Sequence, residues 1–283
     1  MYIFKAAVIG AGTMGAEIAQ VISWSGLPVV LKDVDQEFVD RGMEKIKAIY
    51  GRRVKSGKMS QGEADSKLAL VIPAVDYKEF KDVDIVIEAV PEKMELKKKI
   101  FAELDQVCPS TTILASNTSA LSISEMAAAT RRAPRVVGLH FFFPASVMKL
   151  VEVIAGRETS DETMDTAVEF TESLRKLPVR VKECAGFLVN RVLMASMTEV
   201  LKFQEETNTP YSEVDELMKA KGGVPIGPFS LSDTLGLDIA LDVAYTLEKA
   251  YGERFTPTRS LVDLVKAGNL GTKTGKGFYN YTG

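Results

Sequence analysis

Short apolar runs alternate with longer amphipathic stretches from the N-terminus to residue 182. Such runs predict buried strands, and apolar residues at helical spacing predict helices. Regular alternation of the two is typical of an α/β fold with a mostly parallel, Rossmann-type sheet. The predicted strands cover residues 4–9, 29–33, 70–75, 85–88, 111–116, 135–139, 149–153 and 178–182. The clearest predicted helices between them cover residues 16–22, 36–55, 94–107 and 161–176.

The alternation stops at residue 182, and the remainder of the chain shows only helical patterns. We therefore predict two domains, a sheet domain at 1–183 and an all-helical domain at 184–283, with a tight loop at 222–229. The first helix of the second domain is apolar enough to indicate burial against another helix or another subunit. The predicted helices of this domain cover residues 187–206, 211–221, 235–251 and 258–267.

Composition and charge narrow the function classes. The 283 residues are 46% hydrophobic and 26% charged, as in ordinary globular proteins, and the net charge of −3 argues against a nucleic-acid partner. No apolar stretch is long enough to span a bilayer, and the first residues lack a signal-peptide pattern, so we expect a cytoplasmic protein with no membrane partner. Cys108 and Cys184 are far apart, which predicts neither a disulfide framework nor a metal site.

A glycine-rich turn follows the first predicted strand and precedes a helix. Gly10, Gly12 and Gly15 match the G-x-G-x-x-G pattern, which permits a tight turn, close approach of a pyrophosphate and close packing of the helix on the strand. Asp33 ends the next strand about 20 residues further on, where a carboxylate binds a ribose 2′-hydroxyl and disfavours a 2′-phosphate. The pattern predicts NAD as the cofactor. The alternative is that Asp33 is a turn residue or the cap of the helix at Gln36.

His140 is the only histidine in the chain. An imidazole has an ordinary pKa of about 6.5, so it can take and return a proton near neutral pH. A second strand returns after His140, and its Glu152 is placed to fix the tautomer of the ring and to stabilise the imidazolium. We expect the three phenylalanines at 141–143 to keep bulk water away. The alternative is that His140 is a satisfied core residue without a chemical role.

Other polar groups lie at the ends of predicted elements. Glu88 and Glu92 flank a proline-containing turn at the carboxyl end of a strand, where open α/β sheets bind ligands. Residues 116–124 are rich in serine, threonine and asparagine, which would either cap a helix or present hydroxyls to a substrate. A basic cluster at 52–58 ends a long helix. Such clusters usually coat a solvated surface, but this one would also suit the phosphates of a substrate.

With these residues assembled, the chain resembles the L-3-hydroxyacyl-CoA dehydrogenases, in particular the short-chain 3-hydroxybutyryl-CoA dehydrogenases. The resemblance extends over essentially the whole length, and it rests on several motifs in the same order. These motifs are residues 10–15, 88–92, 116–119, 140–152, 186–191 and 273–279. The resemblance implies an NAD-dependent oxidoreductase that interconverts an (S)-3-hydroxyacyl-CoA and a 3-oxoacyl-CoA by hydride transfer.

The resemblance also implies roles for individual residues. His140 and Glu152 are the expected acid–base pair, and Ser119 and Asn190 complete the catalytic set as contacts to the substrate oxygens. The candidate contacts for the CoA phosphates are Arg53 and Lys55. The expected cofactor contacts are Gly10, Gly12, Thr13, Met14, Gly15, Asp33, Glu92, Lys97, Ser119 and Lys273.

One position departs from the family pattern. The family usually reads His-Phe-Phe-Asn-Pro, and here Phe143 stands in place of the asparagine. A ring therefore replaces an amide that ordinarily forms a hydrogen bond near the cofactor. We predict from this that Phe143→Asn tightens NADH binding.

Two other functions fit the same fold. A dehydrogenase of a free hydroxy acid would share the architecture but would not need the basic cluster at 52–58. A non-catalytic dinucleotide-binding protein, like the crystallins that resemble this family, would not need an intact set of Ser119, His140, Glu152 and Asn190. A homodimer through the helical domain is expected from the resemblance and from the apolar helices.

Overall fold

A computed structural model describes residues 1–282 of the chain. It divides into two compact units, Met1–Cys184 and a second unit that begins at Ala185. The first unit contains an eight-stranded sheet with helices, and every regular element in the described part of the second unit is a helix. The predicted fold class, a mostly parallel α/β sheet followed by a helical domain, is confirmed.

The strand order places the carboxyl ends of the central strands at one edge of the sheet. The order is β3-β2-β1-β4-β5-β6-β7-β8, and every neighbouring pair is parallel except β6 and β7. The strands are β1 Ala6–Ile9, β2 Val29–Lys32, β3 Val71–Ala74, β4 Ile85–Glu88, β5 Ile113–Ser116, β6 Val136–Phe141, β7 Leu150–Ala155 and β8 Leu177–Lys182. The turns after β1, β2, β4, β5 and β6 therefore meet at the edge where open α/β sheets bind ligands.

Six α-helices belong to the first unit: α1 Thr13–Ser25, α2 Gln36–Lys55, α3 Gln61–Leu68, α4 Met94–Val107, α5 Ile123–Ala127 and α6 Asp161–Ser173. Helices α3 and α5 were not predicted. Helix α3 begins with a capping box between Ser60 and Glu63, and only Ala64 in it is buried, so it lacks the apolar period that indicates a helix. Helix α6 ends before the predicted residue 176, and Arg175 there has a φ of 60°.

The second unit contains α7 Val189–Thr207, α8 Tyr211–Lys221, α9 Pro228–Leu235, α10 Leu237–Tyr251 and α11 Arg259–Lys266. The prediction of a loop over the whole of 222–229 was wrong at its end, because Pro228 begins α9. A proline suits the first turn of a helix, where its missing N–H would have no partner. The Asp215 carboxylate accepts hydrogen bonds from the N–H groups of Phe229 and Ser230 and so satisfies the start of this helix.

Each unit has its own apolar core. In the first, fully buried Val8, Leu31 and Ile87 from the sheet pack with helix residues such as Ile18. In the second, the core includes buried Phe229 and other apolar residues from the helices. Burial of each large apolar side chain contributes about 1.5–3 kcal/mol to the stability of the folded unit. The core of the first unit therefore holds the strands, and with them the turns at their carboxyl ends, in fixed positions. Within residues 1–282, no helix combines the length and apolar character needed to cross a membrane.

Candidate active site

The glycine turn between β1 and α1 is sterically required. A Cβ added at Gly15 would lie 1.7 Å from the carbonyl oxygen of Gly10, so only glycine lets α1 pack this closely on β1. Gly10 has a φ of +96°, and a Cβ there would meet the Ala89 carbonyl oxygen at 2.7 Å. A Cβ at Gly12 would meet nothing within 4 Å, so this backbone faces open space. That space is where the G-x-G-x-x-G pattern places a pyrophosphate.

Asp33 connects the end of β2 to the glycine turn. Its Oδ2 accepts a hydrogen bond of 2.7 Å from the Ala11 N–H, and its Oδ1 accepts one of 2.7 Å from the Val34 N–H. The cap of α2 is Asp35, which accepts from the Phe38 N–H, so the helix-cap alternative for Asp33 is wrong. Asp33 lines a cavity of about 450 Å³ that also includes glycines of the turn.

Two other predicted cofactor contacts open α1. Thr13 is exposed and its hydroxyl oxygen accepts a hydrogen bond of 3.3 Å from Lys45 Nζ, while Met14 is half-buried. Both follow Gly12 at the N-terminus of the helix, where unpaired N–H groups and the helix dipole favour an anion.

A buried ion-pair network joins the turns after β4 and β5. Lys97 Nζ lies 2.6 Å from Glu88 Oε1 and 3.1 Å from Glu92 Oε2. The Lys97 and Glu88 side chains are 1% and 0% exposed, whereas Glu92 is 41% exposed. Glu88 Oε2 accepts a hydrogen bond of 2.7 Å from the Ser116 hydroxyl, and Glu92 Oε1 accepts one of 3.0 Å from the Ser119 N–H. Lys97 is thus enclosed by carboxylates, and Glu92 is the more accessible member.

Sequence reasoning did not identify Glu88 or Asn117 as site residues. Glu88 is an acid at a strand end, but nothing in the local sequence pattern indicates that Lys97 turns inward to meet it. Asn117 Oδ1 accepts a hydrogen bond of 2.9 Å from the Phe141 N–H. This bond ties the turn that carries Ser119 to the strand that carries His140. The sequence feature that could have indicated a role for Asn117 is its position immediately after a predicted strand.

His140 and Glu152 face each other across β6 and β7. They are directly paired in the antiparallel register, and His140 Nδ1 lies 2.6 Å from Glu152 Oε2. His140 is 7% exposed and Glu152 is 0% exposed. The Phe142 ring centroid lies 4.4 Å from that of the imidazole. The predicted juxtaposition of ring and carboxylate is therefore present in the structure.

The expectation that all three phenylalanines exclude water was only partly right. Phe141 is 2% exposed, but Phe143 is 61% exposed. Phe141 is the last residue of β6, and its side chain enters the core because the sheet covers it. Phe143 follows the strand, and most of its side chain remains accessible to solvent.

Arg53 and Lys55 lie in different surroundings although both end α2. The Arg53 guanidinium lies 4.3 Å from the centroid of the Trp24 ring, and together they line a cavity of about 150 Å³. Lys149, Arg175 and Lys176 are the other cationic residues of this cavity. Lys55 is exposed and does not line it.

The remaining predicted residues, Asn190 and Lys273, belong to the second unit. Asn190 is the second residue of α7 and is half-buried. Lys273 Nζ lies 2.5 Å and 2.6 Å from the two carboxylate oxygens of Asp238. Buried Asp233 anchors the tail that follows by accepting hydrogen bonds from the N–H groups of Phe278 and Tyr279.

Two family models match almost the entire chain. The model described as "3-hydroxyacyl-CoA dehydrogenase, NAD binding domain" matches residues 5–184. The model described as "3-hydroxyacyl-CoA dehydrogenase, C-terminal domain" matches residues 186–281.

Individual proteins are similar over their full length. The chain is 40% identical over 278 residues to a 3-hydroxybutyryl-CoA dehydrogenase of Clostridioides difficile, a match that covers 98% of this chain and 99% of that protein. It is 40% identical over 282 residues to a probable 3-hydroxybutyryl-CoA dehydrogenase of Bacillus subtilis, covering 99% and 98%. The crystal structure of (S)-3-hydroxybutyryl-CoA dehydrogenase from Ralstonia eutropha matches with a TM-score of 0.97 and 38% identity, covering 100% of both chains.

Proposed function

The chain belongs to the 3-hydroxyacyl-CoA dehydrogenase family and is an NAD-dependent oxidoreductase of that family, and we propose that its His140–Glu152 pair performs proton transfer on a short-chain 3-hydroxyacyl-CoA. The observation that carries this proposal is the 2.6 Å contact between His140 Nδ1 and Glu152 Oε2 in a buried setting. NAD, when bound, supplies the hydride acceptor for oxidation and the hydride donor for reduction.

The His140–Glu152 pair is suited to proton transfer because a carboxylate lies beside the imidazole ring. With Nδ1–H donated to Glu152, proton exchange with the substrate falls to Nε2 of His140. In the oxidising direction Nε2 takes the proton of the 3-hydroxyl, and in the reducing direction it returns a proton to the ketone oxygen. A buried carboxylate beside the ring stabilises the imidazolium, because opposite charges attract strongly where water is excluded.

Ser119 is proposed to hold the substrate oxygen. Its backbone N–H is held by Glu92 at 3.0 Å, and Asn117 links its turn to the strand of His140, so its position is supported from two sides. A positioned hydroxyl reduces the orientational freedom of the reacting group, which is a large part of catalysis. Asn190, in the second unit, remains the predicted second contact to the substrate.

The nucleotide-binding edge of the first unit fits the cofactor. The open space at Gly12, the N-terminus of α1 at Thr13 and Met14, and the Asp33 carboxylate provide what a pyrophosphate and an unphosphorylated ribose need. Gly10 and Gly15 act by shaping the turn. Asp33 favours NAD over NADP because a 2′-phosphate beside a carboxylate would be repelled.

Three charged residues are proposed to complete the cofactor site. Because Lys97 is enclosed, we infer that it acts through Glu92, whose carboxylate is accessible and also holds the Ser119 N–H. Lys273, in the second unit, remains a predicted cofactor contact.

The cationic cavity around Arg53 supports a CoA ester over a small free acid. Four cationic side chains line it, and Lys176 is held in place by donating hydrogen bonds to the carbonyl oxygens of Ala145 and Met148. Guanidinium groups bind phosphate through charge-assisted hydrogen bonds. We propose Arg53 as the stronger phosphate contact and Lys55, which is exposed, as the weaker one.

Matched substitutions test that assignment. Arg53→Met should raise the KM for acetoacetyl-CoA by about tenfold or more, the effect of losing one charge-assisted contact, with little change in kcat. Lys55→Met removes the same charge from the same helix and should raise KM by less than about threefold. A larger effect for Lys55→Met than for Arg53→Met would contradict the assignment.

The substrate class is tested by comparing acetoacetyl-CoA with free acetoacetate, and NADH with NADPH, in a spectrophotometric assay. We expect NADH consumption with acetoacetyl-CoA and at least about a hundredfold lower kcat/KM with acetoacetate, because the free acid cannot engage the phosphate contacts. Comparable rates with acetoacetate would favour the free hydroxy acid dehydrogenase. Binding of NADH without turnover of either substrate would favour the non-catalytic function.

We also propose a cytoplasmic homodimer that associates through the helical unit. Several large apolar side chains of that unit are exposed, including Val192 at 61%, Leu217 at 59% and Ile239 at 55%. Exposed apolar groups of this size favour association. Light scattering coupled to gel filtration should give twice the monomer mass, and a monomer at micromolar concentration would contradict the proposal.

A further inference from the structure

The floor of the cofactor cavity carries an ammonium group with no acceptor. Lys32 is the last residue of β2, is 8% exposed and lines the cavity beside Asp33. Its Nζ lies 4.4 Å from the centroid of the Tyr77 ring. Among the residues that the structure describes, none accepts a hydrogen bond from this Nζ or forms an ion pair with it.

Glu103 lies at the same floor with part of its carboxylate uncommitted. This residue is on α4, and its Oε2 accepts a hydrogen bond of 2.8 Å from the Tyr77 hydroxyl. Burial, and then the Glu103 carboxylate, raise the pKa of Tyr77 well above its ordinary value, so the hydroxyl remains a donor that orients Glu103. Within residues 1–282, Glu103 Oε1 accepts no hydrogen bond.

Most of the Lys32 side chain is buried, and its ammonium group is accessible from the cavity, where a polar ligand can meet it. Burial is the largest influence on the pKa of Lys32 and lowers it, although nearby carboxylates, Glu103 first among them, oppose this effect. The ring contact with Tyr77 compensates for only part of the lost hydration. Because this ammonium lines the cavity and none of the described residues accepts its hydrogen bonds, its charge points to a polar partner that enters the cavity.

The walls above this floor are apolar. They include Val34, Phe38, Leu96 and Ile100, apolar side chains that can pack against the faces of a flat ring. Apolar walls with a few placed polar groups are the usual design of a specific ligand site. The polar lining comprises Asp33, Tyr77, the exposed Lys99, Lys32 and Glu103. The Tyr77 hydroxyl is committed to Glu103, which leaves the Lys32 ammonium as the largely buried donor and the Glu103 carboxylate as its neighbouring acceptor.

We propose that Lys32 and Glu103 read the edge of the adenine ring of the cofactor. Adenine presents an exocyclic amino group, a donor, beside ring nitrogens, which are acceptors. Glu103 Oε1 accepts from the amino group, and Lys32 Nζ donates to N7, the ring nitrogen that is an acceptor in both adenine and hypoxanthine. Asp33 at the rim then receives the ribose, in line with the order of groups along NAD. The inference rests on NAD binding and does not depend on the acyl-CoA substrate.

The test measures dissociation constants by NADH fluorescence in the absence of any acyl-CoA. The comparison cofactor is reduced nicotinamide hypoxanthine dinucleotide, in which a carbonyl oxygen replaces the amino group. The unaltered protein should bind NADH at least about tenfold more tightly, because the carbonyl oxygen would face the Glu103 carboxylate. Equal affinity for the two cofactors would overturn the proposal.

Glu103→Gln provides the sharper test. The amide still accepts the Tyr77 hydrogen bond but can donate to a carbonyl oxygen, so the preference for NADH should fall to about one or reverse. Both cofactors are measured on the same preparation, so a reduced folded fraction does not change the ratio. A ratio that stays at the value of the unaltered protein would overturn the role of Glu103.

Lys32→Met should weaken NADH binding by about tenfold, the effect of losing one charged hydrogen bond. The matched control is Lys98→Met on α4, which removes the same charge from a side chain that pairs with Glu125 and does not line the cavity. The control should change the dissociation constant less than about twofold. The dissociation constant of NADPH is measured for the same variants. If Lys32→Met weakens only NADPH, Lys32 binds a 2′-phosphate and the proposal is wrong.

Discussion

Replacing Lys97 with methionine should destabilise the first unit, because it leaves Glu88 as a buried carboxylate without a counter-charge. The two groups are 2.6 Å apart, and their side chains are 1% and 0% exposed. In the variant, the carboxylate keeps hydrogen bonds from the Val90 N–H and the Ser116 hydroxyl. Removing one partner of a buried ion pair costs about 3–5 kcal/mol, and the two remaining donors place the expected loss near about 3 kcal/mol.

The assay is urea unfolding followed by tryptophan fluorescence. Trp24 is the only tryptophan of the chain and lies in α1, so its signal reports on the unit that contains Lys97. Lys98→Met on the same helix is the control, since its partners Glu95 and Glu125 are exposed and the expected loss is below about 1 kcal/mol.

A double variant separates the buried charge from the packing of the lysine stem. Adding Glu88→Gln to Lys97→Met removes the stranded charge while the amide still accepts from Ser116, so the double variant should be more stable than Lys97→Met by about 1–2 kcal/mol. The reasoning is refuted if Lys97→Met loses less than about 1 kcal/mol, or if the double variant is the less stable of the two.

Three further predictions concern other parts of the molecule. Glu152→Gln keeps an acceptor for His140 but removes the negative charge. The kcat should therefore fall about a hundredfold or more, while the NADH dissociation constant changes less than about twofold. A fall in kcat of less than about tenfold would contradict a catalytic role for the Glu152 charge. Phe143→Asn should lower the NADH dissociation constant by about two- to tenfold, the value of one hydrogen bond, and an unchanged or higher constant in a fluorescence titration would refute it. Burial, and then the Asp215 carboxylate that accepts its hydroxyl hydrogen bond, raise the pKa of Tyr279. The folded state therefore holds this proton more tightly than the unfolded state, and the stabilisation present below about pH 10 is lost as the pH rises further. The free energy of unfolding is measured by urea unfolding of the second unit followed by circular dichroism. Above about pH 10 it should fall less steeply with pH in Tyr279→Phe than in the unaltered protein. The same dependence on pH in both proteins would contradict the assignment.

The parts of the fold that sequence predicted well have strong periodic patterns. Helices α2, α4 and α8 and strand β4 have the bounds that the pattern indicated, because each contains apolar residues at regular spacing. Helix α3 was not predictable from apolar spacing, because it begins with a capping box and only Ala64 in it is buried. Helix α9 was not predicted, because the glycine and proline at its start are typical of a loop.

The candidate site was predictable where residues face each other locally. His140 and Glu152 were placed together by the alternation of two adjacent strands, and the antiparallel register pairs them directly. The buried pair of Glu88 and Lys97 was not predictable, since a lysine on an amphipathic helix usually points to solvent. The separation of Arg53 from Lys55 could have been foreseen, because residues two apart on a helix point in nearly opposite directions.

The most direct test of the central claim is the rate of NADH consumption with acetoacetyl-CoA in His140→Gln compared with the unaltered protein. Glutamine keeps a polar side chain of similar size but cannot exchange a proton near neutral pH. We predict a loss of at least about a thousandfold in kcat with an NADH dissociation constant changed less than about twofold. A variant that keeps more than about a tenth of the rate would contradict the assignment of His140 as the acid–base residue.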